Sequence, residues 1–290
     1  MKKTFTLLMT LALALSALTA CGGRGEKVYT STPYEIYTLA NERLEALTTM
    51  SASATIDYLI TIDGEEMPVY MQMDIKLSGV ALQIESSTMA NFEGESMLMP
   101  INMTLLDGMF YYHVGIGMAK GAEDDGIKIK IPFEADEFDE LMESAVQTTG
   151  SYDFDLIESN FKDATVTERN EGYTVFVSVS GEELARLCDE LLRDTLTNVN
   201  PQSFVEWITI GSFDYILNVD KSGNLESSEV IIDITIEMDG REILTNMHIF
   251  MEYSELPADY VIEAPEDADT YTNGADMGIT AQALLQIMAN

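Results

Sequence analysis

Residues 54–78 read ATIDYLITIDGEEMPVYMQMDIKLS, and the period of their apolar positions decides the fold. Ala54, Ile56, Tyr58, Ile60 and Ile62 alternate with Thr55, Asp57, Leu59 and Thr61. Asp63-Gly64 comes next, a pair that tolerates positive φ and so suits a tight hairpin turn. Met67, Val69, Met71, Met73, Ile75 and Leu77 then alternate with Pro68, Tyr70, Gln72, Asp74, Lys76 and Ser78. Successive strand side chains point to opposite faces, so these two runs predict a long hairpin with one dry face and one wet face.

The same period extends outward in both directions. It continues through Val80, Leu82 and Ile84 and returns at Met97, Met99, Ile101, Met103 and Leu105. Asp107-Gly108 turns into residues 109–114, and Ile127, Ile129 and Ile131 alternate with Lys128 and Lys130 before Pro132. Further strands are expected near 164–168 and 173–180, then through Phe213 to Val219, Val230 to Met238 and Ile243 to Tyr253. Asp220 to Gly223 and Asp239-Gly240 supply the turns of that last group, and Pro257 and Pro265 bracket an extended segment.

Helical spacing is rarer. It is expected from Pro33 with Ile36, Leu39, Ala40, Leu44 and Leu47, over 134–148 and 182–196, and briefly at 155–160. The expected class is α+β: about ten strands in a strongly curved antiparallel sheet, an open half-barrel with a few helices on its concave side. Two smaller sandwich-like domains are the alternative, but no Pro- or Ser-rich linker separates them.

The first twenty residues follow another rule. Lys2 and Lys3 precede an apolar run from Phe5 to Leu18, which is the pattern of a secretory signal. Leu18-Thr19-Ala20-Cys21 resembles the lipobox of bacterial lipoproteins. That resemblance implies cleavage before Cys21, a lipid on its thiol, and an extracytoplasmic protein anchored to the cell membrane, on its outer face in a Gram-positive cell. Residues 1–20 are then the signal peptide, 21–32 a lipidated tether, 33–275 the sheet domain and 276–290 a short tail.

Composition excludes whole classes of partner. The formal net charge is −35, and losing residues 1–20 removes two lysines and no acid, giving −37. Such a chain repels polyphosphate, which argues against nucleic acid, and it meets an anionic membrane only through its lipid. At 46% hydrophobic the chain is nonetheless able to bury a core. Cys188, the only cysteine besides Cys21, lies in the apolar helical stripe of Leu184, Leu187, Leu191 and Leu192 and reads as a buried thiol.

The order of these features resembles the LolA/LolB-like superfamily, which includes the mycobacterial lipoproteins LppX and LprG. The likeness rests on the lipobox, the N-terminal helix, the Met- and Ile-rich meander, the helices at about 134–148 and 182–196, and the closing strands before Ile262-Glu263-Ala264-Pro265. It is nearest to uncharacterised Gram-positive lipoproteins of that type. What it implies is an unclosed barrel whose apolar interior holds acyl chains, with a lipid or other apolar small molecule as ligand.

Nine of the 18 methionines fall between Met67 and Met118. Flexible thioethers suit an irregular apolar partner, and they equally serve as core filler. Met71, Met73, Ile75, Met99, Ile101, Met103, Ile232, Ile234 and Ile236 are the candidate ligand lining. Copper(I) capture asks for clustered methionines, whereas these alternate along strands. The acidic stretches Glu123-Asp124-Asp125 and Asp220, Ser222, Asn224, Glu226 lack the full ordered oxygen set of a calcium loop. His113 and His248 each lie within a strand pattern, and no phosphate loop or nucleophile elbow accompanies them. The sequence therefore calls for no cofactor and no resident metal, and the expectation is a binding protein rather than an enzyme. A filled-core envelope interaction protein without cargo is the other reading.

Overall fold

The computed structural model describes residues 32–92, 95–115, 117–118, 126–135, 137–138, 156–181, 208–238 and 241–282. The lipobox with Cys21, the Cys188 stripe and the Glu123-Asp124-Asp125 loop lie outside these residues.

The one α-helix with described bounds, α1 (Pro33–Glu45), is the first element of the described residues. Its start is doubly fixed: Thr32 Oγ1 accepts from the Glu35 backbone N–H, and Glu35 Oε2 accepts from the Thr32 N–H at 2.7 Å. That reciprocal pair satisfies two backbone donors which the first helical turn leaves without intrahelical partners. Pro33 occupies the first turn as expected. Ile36, Tyr37, Ala40 and Leu44 are buried, and the helix packs against the strands Gly172–Ser180, Ile208–Asp220 and Leu225–Met238 and against a 3-10 turn at Glu158–Phe161.

The strands are β1 (Thr49–Ile62), β2 (Glu65–Ser78), β3 (Ala81–Phe92), β4 (Glu95–Leu106), β5 (Met109–Val114), β6 (Gly117–Met118) and β7 (Ile127–Pro132). They continue with β8 (Thr165–Arg169), β9 (Gly172–Ser180), β10 (Ile208–Asp220), β11 (Leu225–Met238), β12 (Arg241–Ser254) and β13 (Thr272–Asn273). All belong to one open sheet of order β13-β7-β5-β4-β3-β2-β1-β12-β11-β10-β9-β8, with β6 beside β4. Two antiparallel meanders therefore leave the centre in opposite directions. They meet at the β1–β12 ladder, in register from Ser51↔Ser254 to Ile62↔Ile243.

Local chemistry explains the hairpins. Asp63 and Gly64 have φ of 53° and 83°, and Asp107 and Gly108 have 51° and 72°. Positive φ at both central residues gives the turn whose twist matches the flanking strands. On β1 and β12 burial alternates residue by residue, so one face of the sheet is core and the other outer. Gly211 and Ser212 form a bulge that breaks the β10–β11 register between Ile210 and Phe213.

Several expectations need correcting. The sheet has thirteen strands rather than about ten. Two of the additions, β6 and β13, are two residues long, too short for any period to announce them. The expected few helices reduce, among the described residues, to α1, three 3-10 turns, and helical residues at 135, 137–138, 181 and 281–282. Most of the helices expected over 134–148 and 182–196 lies outside the described residues. Val80 does not continue a dry face; it is exposed at the turn between β2 and β3.

After β12 the chain crosses the outer face as a strap. Ser78 Oγ donates to the Tyr260 carbonyl at 2.6 Å, and Lys130 Nζ donates to the Ala268 carbonyl at 3.1 Å. The Tyr111 and Tyr271 rings meet edge-on at 5.6 Å. The strap ends as β13, which adds parallel to β7 through Thr272↔Ile129. Ala281, beyond it, joins the hydrophobic core.

Candidate functional site

The sheet brings six of the nine candidate lining residues into one block. Across β2, β3 and β4, Met71 stands beside Thr88 and then Met99, Met73 beside Ser86 and then Ile101, and Ile75 beside Ile84 and then Met103. The three β11 residues lie elsewhere. Ile232 shares a row with Met247, Tyr58 and Val69, and Ile234 shares one with Thr245, Ile60 and Met67. Ile236 lies in line with Ile243 and Ile62. The β11 group thus starts one row past Met71 and runs toward the other end of the strands, so the nine residues make two patches.

Their burial differs as well. Seven of the nine are buried, whereas Met99 and Met103 are half-buried. Near them Tyr112 and Val114 on β5 are half-buried, Met97 is 42% exposed and Ile127 is 50% exposed. All stand on the core-facing register of their strands: Tyr112 pairs with Met103, Val114 with Ile101, and Ile127 with Val114. The core face is consequently closed around β1 and β9–β12, where Ile56, Phe213 and Leu217 have no exposed surface, and more open at one corner around Met97, Met99, Val114 and Ile127, whereas Ile101 and Leu105 on β4 and Ile129 and Ile131 on β7 are buried.

The middle column of the block was missed from sequence. Ser86, Thr88 and Ala90 continue the even-numbered parity of Leu82 and Ile84, but hydroxyls and a methyl do not register as a dry face. Parity alone was the available signal.

Hydroxyls are the polar groups on this face. From Met50 to Ile62 on β1, Met67 to Leu77 on β2, Leu82 to Ala90 on β3, Met97 to Leu105 on β4, Ser228 to Ile236 on β11 and Ile243 to Tyr253 on β12, no core-facing residue is charged. Ser86 donates to the Ile101 carbonyl at 3.4 Å, and Ser228 pairs with the Tyr253 hydroxyl at 3.1 Å. The buried hydroxyls of Tyr58, Thr88 and Thr245 have no hydrogen-bond partner among the described residues. Burial pushes the Tyr58 and Tyr253 phenols well above the usual tyrosine range, so both remain neutral donors.

The other sequence candidates are placed apart. Asp220 Oδ1 accepts from the backbone N–H groups of Ser222 and Asn224 at 2.7 and 2.8 Å, and Oδ2 accepts from the Asn224 side chain at 2.8 Å. Glu226 is paired with Arg169 at 2.6 Å. These oxygens hold a hairpin turn and an ion pair. His248 meets Glu229 at 2.7 Å on β12, whereas His113 stands on β5, five strand positions away.

An open antiparallel sheet with a hydroxyl-bearing apolar core face is the class that fold and site define. The chain belongs to the family of unknown function DUF6612, whose model matches residues 32–272. No curated protein matches the chain. Among solved structures it is similar to a beta-barrel-like protein of the DUF1849 domain from Brucella abortus, at 10% identity and TM-score 0.24, covering 73% of this chain and 100% of that one. It is also similar to lipovitellin, at 9% identity and TM-score 0.32, covering 77% of this chain and 28% of that one. A DUF1329 family protein from Desulfovibrio piger matches at 9% identity and TM-score 0.16, covering 80% and 93% respectively. Likenesses at such TM-scores carry no weight for function.

Proposed function

We propose that this protein is an extracytoplasmic lipoprotein, anchored through Cys21, that binds a lipid or similar apolar ligand against the core face of a curved, LolA-like half-barrel. It is a binding protein and not an enzyme. The observation that carries the reading is the gradient of exposure along one apolar face. Inward residues at one corner of the face, from Met97 and Met99 on β4 through Val114 on β5 to Ile127 on β7, keep surface that Ile56 on β1 and Ile249 on β12 have lost. Monomeric proteins seldom leave contiguous apolar surface uncovered without a binding role. Methionine thioethers adapt to irregular chains, and each buried methylene contributes roughly 0.8 kcal/mol, so about ten carbons supply roughly 8 kcal/mol against association costs of about 4–15 kcal/mol.

The test is to purify the full chain from its own cells and analyse co-extracted lipid by mass spectrometry, alongside Met99→Glu. A lipid present in the wild type and depleted in the variant supports the reading. Absence of lipid, together with no rise in melting temperature on adding several lipid classes, overturns it. The filled-core interaction protein is the second reading, favoured by the full burial of Ile56, Phe213 and Leu217 on the other half of the same face.

A further inference from the structure

On the core-facing register of β7, Ile127 is 50% exposed, Ile129 7% and Ile131 3%. The β5 ladder runs the whole way from Ile127 to Pro132, so it does not explain the difference. Among the described residues, the chain along the other edge does. Strand β13 lies parallel to β7 through Thr272↔Ile129 and Asn273↔Lys130, past Ile127, and leads into a 3-10 turn at Gly274–Met277. That turn is so close that a Cβ added at Gly274 would lie 2.8 Å from Ile131 Cγ1 and 3.4 Å from Ile129 Cγ2. Ile279 then packs on the core and Ala281 joins it. Residues 272–281 thus wrap the rim of β7 onto the core face, covering Ile129 and Ile131 and leaving Ile127 bare.

This stretch is held differently from the strap before it. The strap is seated on the outer face by the buried Ile262 and Tyr271, by the Tyr111 ring and by the Lys128–Asp267 pair. Residues 273–279 instead close hydrogen bonds within themselves. Asn273 Oδ1 accepts from the Ala275 N–H at 3.0 Å, and the Gly274 and Ala275 carbonyls accept from the Ile279 and Gly278 N–H groups at 2.8 and 3.1 Å. The result is a preformed knob that meets the β7 backbone through two residue pairs, with Thr272, Asn273 and residues 275–278 exposed. Segments with so short a ladder and so much exposed surface open locally, well before the molecule unfolds. Lifting the knob about Tyr271 breaks the short ladder and keeps its internal bonds.

We infer that residues 272–281 are a clasp that gates the apolar corner: swung outward about Tyr271, they bare Ile129 and Ile131 and extend the surface that begins at Met97, Met99 and Ile127. Two residues on a strand span about 6.8 Å, so the open strip on β7 lengthens by about 14 Å. A ligand that lies over Ile129 and Ile131 binds the open form alone and draws the clasp outward. This rests on the apolar-ligand reading above and names how that site is regulated.

The experiment locks the clasp and maps what a ligand can reach. Asn273 and Lys130 face each other across the ladder, about 4.8 Å apart at neighbouring-strand spacing, within reach of a disulfide. Full chain carrying Asn273→Cys/Lys130→Cys, oxidised or reduced, is photolabelled in detergent with a long-chain alkyl diazirine, and the labelled residues are read by peptide mass spectrometry. Labelling at Met97 and Met99 is the internal reference. Oxidation should lower labelling of Ile129 and Ile131 relative to that reference by about tenfold, and reductant should restore it, while reductant leaves the wild-type ratio unchanged. Gly274→Val, whose side chain has no room against Ile131, should raise the ratio about tenfold over wild type if the open form is about a tenth of the population. It also serves where the cysteine pair does not fold. An equal ratio in oxidised and reduced protein, or no rise in folded Gly274→Val, overturns the clasp while labelled Met97 and Met99 leave the apolar site standing. Absence of label from all these residues in every form overturns both.

Discussion

Lys128 Nζ donates to Asp267 Oδ2 at 2.6 Å, pinning strand β7 to a strap that arrives from the far side of the sheet's centre. This hydrogen bond, with help from the Thr270 hydroxyl, holds the Asp267 carboxyl below the usual carboxylate range. Because the folded pKa lies below the unfolded one, the contribution is complete above the unfolded value near about 3.9 and fades as pH falls through the folded value. Lys128→Met should move the Asp267 titration back toward the ordinary carboxylate range and leave strap protection weaker at neutral pH and less sensitive to acid. Carboxyl-resolved NMR and hydrogen exchange over 260–273 read both effects.

A second prediction concerns backbone approach. A Cβ added at Gly172 would lie 1.9 Å from the Val219 carbonyl oxygen, where β9 meets the end of β10. Neither partner is a flexible side-chain end, so a strand must move. Gly172→Ala should cost about 2–4 kcal/mol, read as a lowered urea midpoint.

The two halves of the core face should answer differently to truncation. Phe213→Ala removes a fully buried ring and should cost about 3–5 kcal/mol. Met99→Ala, at a half-buried position, should cost about 1 kcal/mol or less. Comparable losses in urea unfolding would mean that the face is packed evenly from β4 to β10.

Tyr58→Phe deletes an unpartnered hydroxyl and nothing else, so ligand-free protein should gain about 1 kcal/mol. Differential scanning calorimetry of delipidated wild type and variant measures it, and a loss of stability would reveal a partner for that hydroxyl.

Anchoring is tested at Cys21. Cells fed an alkyne fatty acid should label the wild type and not Cys21→Ser, and equal labelling of both would remove the lipobox reading.

Most strands were legible because their inward residues are large and apolar. The run from Met67 to Leu77 gave β2 to within two residues at either end. Strand β3 was legible only to Ile84, because Ser86 and Thr88 face inward with hydroxyls and the period disappears exactly where the candidate site begins. The strap was legible as extended chain from Pro257 and Pro265, but its docking was not. That depends on Lys128, Lys130 and Ser78, which alternate outward and look like ordinary solvated positions. Register between distant strands was equally silent, so grouping the β11 isoleucines with Met71 and Met73 put two ends of the sheet into one patch. Pairing β1 with β12 spans the 178 residues between Ile62 and Arg241, a separation that local pattern does not register.

That central ladder also sets the order in which the sheet is completed during synthesis. The β1–β7 meander folds on local turns, but it presents β1 as a bare edge until residues 241–254 appear. A fourteen-residue edge rich in isoleucine invites pairing with another molecule, and long-range pairing is slow to form. Chains stopped before Arg241 should therefore sediment as aggregates, while those extending past Ser254 stay dispersed. The newly made protein carries its greatest hazard of misassembly at the middle of the finished sheet rather than at its rims.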